Sequence, residues 1–191
     1  MEFEYLLTGR RTVRRFKQVQ VLQNEIESML NAARLASCGG NMQRLRYIVI
    51  RNKSTVEQVL KHTAWAGFVT PARTPAVGKN APLTFIAVTS QCETNNVLHT
   101  DAGAAIQSME LAAWNIGVGC CWIGAFKQED VRKALALPEN ICLLYLVAIG
   151  YPDESPVTEN IPAGESTKYY LDADDVLHVP KYSIDAITEW R

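Results

Sequence analysis

The chain has 191 residues, 48% hydrophobic and 20% charged, with a net charge of −1. That balance fits a soluble globule with one sizeable core and argues against a nucleic-acid binder, which needs a strongly basic face. No apolar run reaches the ~20 residues of a membrane span, so no membrane partner is expected.

MEFEYLLTGR opens with acidic residues and lacks an apolar signal core, so export is not expected. Cys38, Cys92, Cys120, Cys121 and Cys142 are odd in number and form no C-x-x-C pair, which reads as reduced thiols in a cytoplasmic protein. In chain order, residues 2–8 put Phe3, Leu6 and Leu7 on one helical face, with Gly9 as the stop. RRTVRRF (10–16) follows, with Arg10, Arg11, Arg14 and Arg15 close together and Lys17 next. Such a cluster in a nearly neutral chain is either a solvated patch or an anion site.

Ile26, Leu30 and Ala33 recur at helical spacing and predict a helix over 23–36, broken by the paired glycines of SCGGN (37–41). RYIVI (46–50) is β-branched and aromatic and predicts a strand. Ser54-x-x-Glu57 matches a capping box opening a helix to about residue 63. Residues 64–82 hold three prolines and two glycines and show no periodicity, so they read as a long loop. TFIAVTS (84–90) predicts a strand buried on both faces.

Residues 100–117 predict the longest helix, capped by Thr100 or Asp101 and ended by Gly117. Ala105, Ile106, Met109, Leu111, Ala112, Ala113, Trp114 and Ile116 make it apolar nearly all round. A helix without a polar face is buried on several sides, either by a partner subunit or as the central helix of one chain. CCWIGAF (120–126) predicts a strand running into a turn, EDVRKAL (129–135) a short helix, and CLLYLVAIG (142–150) a further buried strand. DVLHV (175–179) is a candidate final strand. Helices interspersed with buried strands give an α+β or α/β layered fold, read as one domain over residues 1–191.

Several chemistries find no support. No G-x-G-x-x-G follows a strand, and no Walker A sequence or G-x-S-x-G elbow occurs. His62, His99 and His178 are scattered and read as surface or core residues, so no metal site is expected. In the long loop, Trp65 and Phe68 are candidates to shape a substrate pocket.

RRTVRRF is similar to a phosphate segment R-R-S-x-R-x-F. ASCGGNMQRLRYIVI is similar to a small-residue loop followed by N-x-Q-P-W-x-F-x-V-V. DAGAAIQSMELAAWNIGVGCCWIGAF is similar to a long helix and W-I-G turn, and LVAIGYPDE to a strand V-A-I-G-Y-P. In their order and spacing these blocks resemble the FMN-dependent nitroreductase family. The resemblance implies an α+β fold: a three-layer α/β/α sandwich with a mixed, mainly antiparallel sheet. It implies a homodimer in which two subunits build each flavin site, with the C-terminal tail packing on the partner.

The cofactor implied is FMN, with NAD(P)H as electron donor and a nitroaromatic, quinone or similar small molecule as acceptor. Arg10 and Arg11 would reach the FMN phosphate, which carries about two negative charges and suits bidentate guanidinium forks. Thr12 would add a hydroxyl or backbone contact. Arg14 would lie at flavin N1 and the C2 carbonyl, where a fixed cation stabilises the reduced form. Arg15 would face solvent or pair with a carboxylate.

Asn41 and Gln43 match the family's N-x-Q and would meet the flavin edge or ribityl hydroxyls; Arg44 and Leu45 depart from the usual Pro-Trp. Trp122, Ile123, Gly124 and Ala125 match the turn passing the flavin, with the Gly124 N–H aimed at N5. In STKYYLDADDVLH (166–178) Lys168, with Tyr169 and Tyr170 beside it, is a candidate phosphate ligand. Two other readings stay open: the same fold with another reaction, such as dehalogenation or flavin breakdown, and a non-catalytic flavin binder.

Overall fold

A computed structural model of the chain describes residues 2–70, 72–91 and 96–191. The helices are α1 (Phe3–Gly9), α2 (Gln23–Leu35), α3 (Lys53–Lys61), α4 (Asn96–Asn115), α5 (Gln128–Ala134) and α6 (Ile184–Ile187). The strands are β1 (Arg46–Ile50), β2 (Thr84–Gln91), β3 (Gly119–Ile123), β4 (Ile141–Gly150), β5 (Val157–Ile161), β6 (Tyr170–Leu171) and β7 (Leu177–Tyr182).

The main sheet has the order β1-β2-β4-β3 and is antiparallel throughout. Successive strand residues point to opposite faces, so the apolar run of β2 feeds two cores. Phe85 and Ala87 join Val56, Val59 and Leu60 of α3 and Val131 of α5. Ile86 and Val88 join Ile26, Met29 and Ala33 of α2 and Ala102, Ala105, Ile106 and Met109 of α4. Helices thus cover both faces, giving the three layers. Parallel pairing enters in a second, three-stranded sheet of order β5-β7-β6, where β5 runs parallel to β7.

Three details differ from the sequence reading. The N-cap of α3 is Asn52, whose side chain accepts from the Thr55 N–H at 3.2 Å, and not Ser54. Helix α4 begins at Asn96, so Thr100 and Asp101 lie inside it and do not cap it. Asp101 instead accepts the Gly39 N–H at 2.8 Å, tying the glycine loop to α4. Cys142 is disulfide-bonded, which corrects the reading of all thiols as reduced.

The arginine segment has a fixed seat. Val13 and Phe16 are fully buried. Thr12 forms a parallel bridge with Cys120 at the free edge of β3, and the Val13 N–H donates to the Cys120 carbonyl at 2.9 Å. The fit leaves room only for glycine at two points. A Cβ on Gly119 would lie 2.7 Å from Val13, and one on Gly150 2.8 Å from Phe16. Val13 and Phe16 are therefore the anchors of RRTVRRF, and its arginines leave the seat in other directions.

Candidate active site

Each arginine has its own partner. Arg10 Nη1 meets Glu110 Oε2 of α4 at 3.1 Å, and Glu110 is only 5% exposed. Burial pushes the Glu110 carboxyl up, and the Arg10 charge opposes that shift. Arg11 donates to the Arg10 and Thr8 carbonyls and to Thr158 Oγ1 of β5. Arg15 pairs with Asp175 at 2.6 Å, the second of the two alternatives expected for it. Arg14 is different: among the described residues no carboxylate pairs with its guanidinium, which lies over the Tyr169 ring, 5.0 Å from the centroid.

Arg14 lines a cavity of about 260 Å³ with Trp65, Trp122, Ile123, Gly124, Ala125 and Tyr169. Six of the residues singled out from sequence therefore meet in one place. Strand β3 ends at Ile123, so Gly124 and Ala125 are outside the ladder. Among the described residues neither donates its N–H to an acceptor. The cavity thus combines a cation without a carboxylate partner, two available N–H donors and an indole. It suits a planar ligand with an acceptor edge that gains negative charge.

Thiol chemistry is a poor fit here. Burial pushes the Cys121 thiol up to about 12 against the opposing pull of Arg14, and burial likewise raises Cys120 well above its usual value. Neither is a thiolate near neutral pH.

The other expected residues lie around or away from this cavity. Phe68 is 62% exposed and packs on Tyr169 with ring centroids 5.1 Å apart, while Lys168 Nζ stands 6.0 Å from the Phe68 ring. Arg10, Arg11 and Thr12 lie along the seat, outside the cavity lining. Asn41 and Gln43 sit on the exposed glycine loop, both with left-handed φ, 53° and 48°. Gln43 lines a separate, larger cavity of about 560 Å³ beside α2 and α4, which the buried Asp101 carboxylate also lines. Arg34, Arg44 and Arg46 line it beside the carboxylates of Glu27 and Asp101, and neither Arg14 nor the 122–125 turn reaches it.

Sequence reasoning missed Glu110, Glu154 and Arg73, and named Tyr169 only as a neighbour of Lys168. Tyr169 stood in a quoted block with no distinguishing mark. Arg73 stood alone in the unpatterned loop, where nothing local signals burial.

Comparison with known proteins places these features in a family. The sequence pattern of the nitroreductase family matches residues 7–151. The chain is 22% identical over 182 residues to the NADPH-flavin oxidoreductase of Vibrio harveyi, covering 89% of this chain and 76% of that protein. An FMN-dependent nitroreductase of Clostridium difficile is similar in structure, with TM-score 0.67 and 26% identity over 80% of this chain and 88% of that one. A nitroreductase family protein of Clostridium novyi has the same fold, with TM-score 0.70 and 19% identity over 81% of this chain and 87% of that one.

Proposed function

Because the chain belongs to the nitroreductase family, we propose that it is an FMN-dependent oxidoreductase that takes hydride from NAD(P)H and delivers electrons to a nitroaromatic, quinone or similar acceptor. The observation that carries this reading is the cavity where the unpaired cation of Arg14 meets the available N–H groups of Gly124 and Ala125. Bound FMN would supply the hydride-accepting centre, and the chain supplies position, charge and a shaped cavity.

Arg14 would hold the N1 and C2 carbonyl edge, and the Gly124 N–H would point at N5. Trp122, Ile123 and Ala125 would wall the ring, with Trp65 and Phe68 shaping the acceptor's side. Toward the phosphate we assign Arg10, Arg11, Thr12 and Lys168. Arg10 keeps guanidinium N–H groups beyond the one engaged by Glu110.

Titration with FMN tests the first step. The loaded protein should be yellow, absorbing near ~450 nm as the cofactor does, and should oxidise NAD(P)H when a quinone is present. No FMN binding sinks the reading at once. FMN binding without NAD(P)H oxidation leaves a non-catalytic flavin binder.

The protein should be a homodimer. A cavity of about 260 Å³ falls short of the ~300–1,000 Å³ common for ligand sites, so one chain offers part of a site. Asn41 and Gln43 are exposed, as residues reaching a second copy's flavin would be. Phe3 and Leu7 of α1 are 67% and 47% exposed, and Ile184, Ile187 and Trp190 of the C-terminal tail are 71%, 69% and 88% exposed. These apolar faces suit an interface of roughly 2,000 Å² or more, with the tail packing on the partner. Sedimentation velocity at micromolar concentration should give a dimer, and a stable folded monomer that binds FMN would overturn this.

We read residues 1–191 as one domain, since Arg11 and Arg15 tie the main body to the second sheet and its loop. Among the described residues no helix is long and apolar enough to cross a membrane. The free thiols of Cys38, Cys120 and Cys121 support a cytoplasmic location, to which the Cys142 disulfide is the exception.

A further inference from the structure

We propose that Glu154, held by the buried Arg73, is a positioning residue for Arg14: it fixes the backbone from which the Arg14 guanidinium enters the cavity. The inference rests on the flavin reading above.

Glu154 lies just beyond β4. Its Oε1 accepts two successive backbone N–H groups, that of Arg14 at 2.5 Å and that of Arg15 at 3.2 Å. Its Oε2 stands 3.5 Å from Arg73 Nη2, and both side chains are nearly inaccessible, at 6% and 2% exposure. Arg73 Nη2 also meets Asp175 Oδ2 at 3.2 Å, and both Arg73 terminal nitrogens donate to the Asp175 carbonyl, at 3.4 and 3.3 Å. Arg15 reaches the same Asp175 carboxylate. Arg73 therefore joins the long loop, the residues after β4, the arginine segment and the turn before β7.

This is a costly way to hold a loop. Buried charges lose hydration, and apolar residues of the same volume often stabilise as well or better. Here the cost is visible: among the described residues Arg73 Nε has no acceptor, and Glu154 Oε2 has an ion pair but no hydrogen bond. What apolar side chains cannot do is direct the N–H groups of residues 14 and 15. That direction matters because, among the described residues, no carboxylate meets the Arg14 guanidinium. Arg10 and Arg15 are aimed by carboxylates at their tips, which also neutralise them. Arg14 is held at its backbone, so its charge stays available to a ligand.

The test is a redox titration of the FMN-loaded protein carrying Glu154→Ala, with and without Arg14→Met. If Glu154 acts through Arg14, Glu154→Ala weakens the preference for reduced over oxidised FMN about tenfold, lowering the two-electron midpoint by ~30 mV. In the Arg14→Met background the same change shifts that preference by less than about twofold, since coupled residues are not additive. Glu154→Gln keeps an acceptor oxygen and should recover most of the wild-type potential.

If Glu154 is merely a nearby negative charge, its removal raises the midpoint in both backgrounds, and the proposal fails. It fails equally if Tm falls while the midpoint stays. Should Glu154→Ala not fold, Arg73→Lys serves in the same cycle: one ammonium cannot span Glu154 and Asp175, so the midpoint should fall only where Arg14 is present. A wild-type protein that does not bind FMN would instead sink the flavin reading itself.

Discussion

Arg10→Ala should cost about 3–5 kcal/mol of stability at neutral pH, the usual penalty for stripping a buried charge of its partner. Glu110 is 5% exposed, and its carboxylate meets Arg10 at 3.1 Å. Burial already pushes the carboxyl up, and only the Arg10 charge opposes it. Without Arg10 the carboxyl rises further and must either stay charged without compensation or take up a proton. An acid whose folded pKa is raised loses stability as pH rises from its unfolded value through its folded one. The deficit of Arg10→Ala should therefore shrink as pH is lowered and Glu110 becomes protonated.

Urea denaturation at several pH values measures this. Adding Glu110→Gln should recover most of the loss, because the uncompensated charge is gone. A loss below about 1 kcal/mol, flat with pH, would make the contact an ordinary surface pair. Weakened FMN binding by Arg10→Ala is then no clean measure of phosphate contact, because the variant disturbs α4 as well.

The sequence made some of this legible. The continuous apolar runs of β2 and β4 announce strands buried on both faces, because two cores require it. The start of α3 was harder, since Asn52 and Ser54 are both good caps two residues apart. Asn52 wins and takes the Ser54 hydroxyl as well, at 2.6 Å. The short strands VTENI and YL carry no alternation that a reader could use, and their pairing depends on β7.

Within the site, the turn at 122–125 and Arg14 stood in recognisable blocks. Their supports did not. Glu110 lies 100 residues from Arg10, Glu154 lies 140 from Arg14, and Asp175 lies 102 from Arg73. No local spacing encodes such pairs; only the folded sheet brings them together. The glycines at 119 and 150 were equally silent, because the atoms that exclude a Cβ there belong to Val13 and Phe16.

Arg14→Met should slow reduction of bound FMN by NAD(P)H roughly 10- to 100-fold, a loss of ~1.4–2.7 kcal/mol of barrier lowering. Methionine keeps much of the length and removes the charge. The wild-type guanidinium lines the cavity beside the turn and has no carboxylate partner among the described residues. A neutralised arginine would stabilise oxidised and reduced flavin almost alike, and equal binding of both forms lowers no barrier. An unpaired one favours the form with negative charge at N1 and the C2 carbonyl.

The midpoint potential should fall with the rate, by ~30 mV for each tenfold loss of preference for the reduced form. Stability should change little, since the contact of the guanidinium with Tyr169 is a cation–π pair, worth ~0.5–1 kcal/mol when exposed. Stopped-flow reduction and redox titration decide the matter together. Unchanged rate and potential would leave Arg14 a phosphate or surface residue. A slowed rate at unchanged potential would mean that Arg14 positions NAD(P)H and does not stabilise the reduced flavin.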